Sequence, residues 1–179
     1  MSQPAIAVPA YGALPPPLTD VELARRIAPL HDAFERPPVL LEDIVERALV
    51  EATSLRRAVR QGMALATVCA DAHRLQHVLT AFVDDVVATT ESAGPYARSI
   101  TLRTEIIPTG KVIVEIADLR RMWTYPPERE AVSRADDGWE WLFRGQILSR
   151  ASDATSGVTA RAATHFSLGR VVWLDIPRP

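Results

Sequence analysis

Residues 74–87 read RLQHVLTAFVDDVV. Within them Leu75, Val78, Leu79, Phe82, Val83, Val86 and Val87 recur at the i, i+3, i+4, i+7 spacing that gathers apolar side chains into one stripe of an α-helix. A stripe this strong has to be buried, and a sheet is its natural partner. Asp71 stands just upstream, where a short carboxylate accepts from the free amides of the first helical turn.

Working outward, the stretches before this helix change period twice. Met63–Cys69 alternates apolar and small residues as a strand does. Ile44, Val45, Ala48, Leu49, Ala52 and Leu55 mark a second helix running to about Arg60, after a brief strand at Val39–Leu41, with Gly62 as its breaker. Thr19 or Asp20 caps an earlier amphipathic helix through Val21, Leu23, Ala24, Ile27 and Leu30, ended by Pro37 and Pro38. Residues 1–18 carry Pro4, Pro9, Pro15, Pro16 and Pro17 and read as an extended or flexible tail.

After the long helix, Ser99–Ile107 and Lys111–Ala117 form a hairpin about Pro108, Thr109 and Gly110. Residues 118–137, with Pro126 and Pro127, have no sustained period and read as a long excursion. Trp139, Leu142, Phe143, Gln146 and Ile147 predict a helix to about Ala151, and Val158–His165 with Arg170–Ile176 predict a closing hairpin. The sum is a two-layer α/β sandwich: a mixed, mostly antiparallel sheet covered on one face by helices, with the other face more open.

Composition narrows the function. The 179 residues hold one core of ordinary size, and a net charge of −2 supplies no field that would concentrate nucleic acid or an anionic membrane surface. No run of about eighteen apolar residues and no signal-peptide pattern is readable, so the expected location is the cytoplasm. The lone Cys69 forms no internal disulfide and reads as a small buried apolar residue. His73 and His77, four apart on the long helix, present two imidazoles to one face without a visible third ligand.

The element order, the helix RLQHVLTAFVDDVV, the strand ending VEIAD (114–118), the turn DDGWEWLF (136–143) and the closing GRVVWLDIP (169–177) resemble the Bergerat-fold ATPase domain of histidine kinases, gyrase, Hsp90 and MutL. The histidine-kinase branch is the nearest, over roughly residues 38–177, behind a tail (1–18) and a short N-terminal helix (19–37). In that family the long helix carries two Asn, where this chain has Ala81 and Asp85. The second Asn holds Mg²⁺ and the phosphates, so the resemblance makes Asp85 the metal-ligating position, and a carboxylate there adds negative charge beside a triphosphate. The adenine turn, D-x-G-x-G in the family, keeps Asp118 but has Arg120 and Met122 for its glycines, and their Cβ atoms narrow the space for the base. The phosphate turn opens on Gly138 and continues Trp139, Glu140, Trp141, setting a carboxylate where the helix N-terminus should receive anions.

The resemblance thus implies a domain of the ATPase fold in which Asp85, Asp118 and Gly138 mark a degenerate nucleotide site. The expected function is a catalytically inactive interaction, regulatory or phosphorelay module in bacterial signalling, with no cofactor. Its expected partner is a signalling protein such as a response regulator or a kinase, with a homodimer left open. The alternative is a divergent, working histidine-kinase-type or phosphotransferase enzyme that keeps ATP and Mg²⁺. Trp123, Tyr125, Trp139 and Trp141 either fill the vacated pocket or anchor a partner. His31, followed by Asp32, resembles the family's phosphoacceptor pattern, yet too few residues separate it from the ATPase-like part to build a dimerising hairpin.

Overall fold

A computed structural model describes residues 16–52, 58–60, 62–92, 100–119, 147–165 and 169–179. In chain order the elements are α1 (Asp20–Ile27), β1 (Pro38–Leu40), α2 (Leu41–Glu51), β2 (Ala58–Arg60), β3 (Thr67–Cys69), α3 (Ala72–Ser92), β4 (Ile100–Ile107), β5 (Lys111–Leu119), β6 (Ile147–Ser152), β7 (Thr159–His165) and β8 (Gly169–Pro177).

The main sheet has the order β2-β4-β5-β8-β7-β6. β4–β5 and β7–β8 are the two expected hairpins, and β5 pairs antiparallel with β8 between them. Among the described residues only β2 joins in parallel, against β4. β1 and β3 form a separate antiparallel ribbon, with Leu40 opposite Thr67. The architecture is the expected α/β sandwich: α3 lies across β5 and β8, α2 packs on α3, and α1 covers β6 and β7.

The α3 stripe works as the sequence predicts. Leu75, Val78, Leu79, Phe82, Val83, Val86 and Val87 join a buried core with Val112, Val114 and Ile116 of β5 and Val172, Leu174 and Ile176 of β8. Asp71 Oδ1 accepts from the amides of His73 and Arg74 at 3.0 and 3.1 Å, which makes it the N-cap of this helix.

Several boundaries differ from the sequence reading, each for a local reason. The first helix ends at Ile27, followed by single 3-10 turns at Ala28–Leu30 and Ala33–Glu35, well short of Pro37. Pro29 brings no amide to continue the ladder, and Asp32 turns the chain at φ 63°. α2 stops at Glu51 because Ala52 adopts an extended conformation, so no helix reaches Arg60, and residues 58–60 are a strand. Residues 147–151 are strand β6, not the end of a helix: Leu148 pairs with Ala163 and Arg150 with Arg161. Residues 139–146 lie outside the described residues. Cys69 is half-buried.

The sheet face away from α3 is not left open where β5, β7 and β8 meet. Ala117, Ala163 and Val171 are at most 1% exposed and Trp173 is 3% exposed. Cross-strand neighbours build this layer: Trp173 stands opposite Glu115 on one side and Arg161 on the other. Its indole Nε1 donates to Glu115 Oε2 at 2.9 Å, and the Arg161 guanidinium lies 5.4 Å from its ring centre.

Residues 16–18, placed by sequence in the tail, are part of the packed structure. Leu18 is buried, and its carbonyl accepts from the Ser149 hydroxyl of β6. Residues 1–15 lie outside the described residues.

Candidate functional site

Asp85 sits on the sheet-facing side of α3, in the turn between Phe82 and Val86, both fully buried. Asp118 ends β5 and is 1% exposed. In the β5–β8 ladder the residue directly opposite Asp118 is Arg170, and directly opposed residues share a face of the sheet. The two acidic positions singled out by sequence therefore converge on one residue that sequence reasoning did not single out. No local signal marks Arg170; it is the second residue of β8 and reads as an ordinary strand residue.

Arg170 is 1% exposed, and its donors meet acceptors from three parts of the chain. Nη1 donates to both oxygens of Asp85, at 2.9 and 2.8 Å; Nε donates to Thr164 Oγ1 at 3.1 Å; Nη2 donates to the carbonyl of Pro16 at 2.6 Å. A buried guanidinium is sustained only when its charge is paired and its N–H groups are satisfied, and here one carboxylate, one hydroxyl and one carbonyl contribute to both.

α1 closes the site from the other side. Arg26 Nη1 donates to the Ala81 carbonyl at 2.8 Å, its Nη2 lies 3.7 Å from Asp85 Oδ1, and its guanidinium stands 5.8 Å from the Phe82 ring centre. Glu22 holds Arg26 in place at 2.8 Å and also binds Arg25, the main reason that its carboxyl lies below the usual range. Ala81 and Asp85, the positions where the resemblance expects two Asn, are thus both contacted by Arg26.

The helix is fixed there by sequence features that read locally. Thr19 Oγ1 accepts from the Glu22 amide at 3.2 Å; Asp20 and Glu22 lie in the positive first turn and Arg25 and Arg26 in the last. Leu23 and Ile27 are buried beneath it. Asp20 Oδ1 reaches across to accept from the Arg150 amide of β6 at 2.9 Å.

Asp85 and Asp118 are therefore brought to one locality, while Gly138, Arg120, Met122, Trp123, Tyr125, Trp139, Glu140 and Trp141 lie outside the described residues. His31 is elsewhere, with Nδ1 at 3.1 Å from both oxygens of Asp153. Among the described residues no group of three or more His, Cys, Asp or Glu is arranged to hold a metal ion, and no helix is long and apolar enough to cross a membrane.

No protein-family profile and no curated protein matches the chain. Solved structures do. ShkA, determined full-length in complex with AMPPNP, aligns with a TM-score of 0.53 at 21% identity over 89% of this chain and 34% of its own. The mycobacterial sensor histidine kinase MprB aligns at 0.48 with 15% identity over 80% of this chain and 99% of that one. The blue-light-activated histidine kinase EL346 of Erythrobacter litoralis aligns at 0.34 with 14% identity, and the chain spans 44% of its length. The fold is that of a histidine-kinase ATPase-like domain; the alignment with ShkA carries that statement.

Proposed function

We propose that the chain is a histidine-kinase-like ATPase domain that has given up nucleotide chemistry and serves as an interaction or regulatory module in bacterial two-component signalling, with a response regulator or a kinase as its partner. One observation carries this reading: the carboxylate at the metal-binding position is engaged by a buried arginine, Arg170, at 2.9 and 2.8 Å. A divalent cation at Asp85 would have to displace a guanidinium that also binds Thr164 and Pro16, leaving a buried charge without its counter-ion. Arg26 adds a second positive group from α1. The positive charge that Mg²⁺ would supply is thus supplied from within the chain.

The test is thermal unfolding of the purified protein with and without millimolar Mg²⁺-ATP and Mg²⁺-ADP, backed by calorimetric titration. A ligand at a hundred times its dissociation constant stabilises the native state by about 2.7 kcal/mol, so binding would be easily seen. No shift is expected. A magnesium-dependent rise in melting temperature would favour the second reading, a working nucleotide site, for which the buried Asp118 on the helix-facing side of β5 is the supporting observation.

A further inference from the structure

We propose that His73 and His77 form a bidentate surface site for a divalent transition-metal cation of the Ni²⁺ or Cu²⁺ type, with Glu51 orienting His77. This site is independent of Asp85 and of the function proposed above. It rests on the first two turns of α3 and on the last turn of α2.

The two Nε2 atoms lie 3.0 Å apart, hydrogen-bonded to each other, with ring centres separated by 4.2 Å and planes inclined by 67°. Neutral imidazole ligates through its unprotonated nitrogen. With metal–nitrogen bonds of roughly 2.1 Å, nitrogens at this spacing subtend about 90° at a shared ion, the cis angle of octahedral and square-planar centres and not the wider angle of a tetrahedron. That geometry selects Ni²⁺ and Cu²⁺ over tetrahedral Zn²⁺. Both side chains are exposed, His77 by 53%, so an ion can enter and water can complete its coordination.

A second feature points the same way. Behind His77, on the ring nitrogen that would not ligate, stands a carboxylate: Glu51 Oε1 is 3.7 Å from Nδ1. Glu51 is not a loose surface charge. Gln76 Nε2 donates to its Oε2 at 2.8 Å and the Thr80 hydroxyl at 3.4 Å. The Glu51 carboxylate, within ion-pair range of Nδ1 rather than hydrogen-bonded to it, favours the tautomer with the proton on Nδ1 and the lone pair on Nε2. The backbone beneath is fixed too, since Asp71 caps the helix and Leu75, Val78 and Leu79 are buried. The two rings are held together on one helix face, and an ion that takes both nitrogens replaces the hydrogen bond between them.

The experiment is calorimetric titration of the full chain with NiCl₂ and CuSO₄, alongside His73→Ala, His77→Ala and Glu51→Gln variants. Because all three positions lie at the surface, melting temperature without metal serves as the folding control. Expected are one-to-one binding, at least tenfold weaker binding in either His variant as the chelate becomes a single ligand, and a loss of about tenfold in Glu51→Gln. In Cu²⁺-loaded protein, electron paramagnetic resonance should show two coupled nitrogens, falling to one in His73→Ala. No stoichiometric binding, or undiminished binding in both His73→Ala and His77→Ala, overturns the site; undiminished binding by Glu51→Gln overturns the positioning role of Glu51.

Discussion

Arg170 of β8 grips Asp85 of α3 through a single nitrogen that donates to both carboxylate oxygens. The two residues are 85 positions apart in the chain, and the arginine is 1% exposed. The contact joins the helical layer to the sheet with opposite charges rather than apolar side chains, at the point where the resemblance places a metal ion.

Removing one member of this pair should cost far more than removing both. Arg170→Met leaves the Asp85 carboxylate, among the described residues, with the more distant Arg26, and a loss of about 3–5 kcal/mol is expected in urea unfolding. The double variant Arg170→Met, Asp85→Leu should recover most of that loss, because a well-packed apolar pair often replaces a buried ion pair at no cost. A single-variant loss below about 1 kcal/mol would show that the pair has the weight of a surface contact.

α1 should be an integral part of the domain. Leu23 is fully buried, so Leu23→Ala is expected to destabilise by about 2–5 kcal/mol. Val21, on the same helix, is 78% exposed, and Val21→Ala should change stability by no more than about 0.5 kcal/mol. Denaturant melts of the two variants check the contrast.

The cap of α1 gives a smaller, independent test. Thr19→Ala removes the acceptor of the Glu22 amide and should cost about 1 kcal/mol, most of it restored by Thr19→Ser. Amide hydrogen exchange at Glu22 should speed up in the Ala variant only.

Acid should weaken the turn between β6 and β7. Burial works to raise the Asp153 carboxyl, but the Thr155 amide, the Ser156 hydroxyl and His31 outweigh it and hold it below its ordinary value. A carboxyl lowered in the folded state contributes stability that is complete above its unfolded pKa, about 3.9, and disappears as pH falls through the lower folded value. The stability gap between wild type and Asp153→Asn should therefore shrink as pH drops below about 4. A gap independent of pH down to 2.5, roughly, would remove the carboxylate from this account.

What was legible in the sequence was what is encoded locally. The α3 stripe, the Asp71 cap and the hairpin at Pro108–Gly110 each have their signal within a few residues. β6 was not legible, because Ile147 continues a helical spacing begun at Trp139 and Leu142, and the strand exists through its pairing with β7. The apolar period of α2 continues through Ala52 and Leu55 and so extends the predicted helix past Glu51, while the extended conformation of Ala52 that ends it has no composition signal. At the site, Asp85 and Asp118 were found through resemblance; Arg170 was not, since its meaning comes from two partners on other elements and from Pro16 at the far end of the chain.

The bond from Asp20 to the Arg150 amide has a consequence beyond holding α1. Among the described residues β6 is the last strand of its sheet, and an outermost strand offers a row of unused backbone donors and acceptors to any other extended chain, the starting point of edge-to-edge aggregation. Here the chain's own N-terminal segment lies along that strand, taking one amide with Asp20 and receiving the Ser149 hydroxyl on the Leu18 carbonyl. It acts as a guard rail that keeps the sheet from growing into a neighbouring molecule.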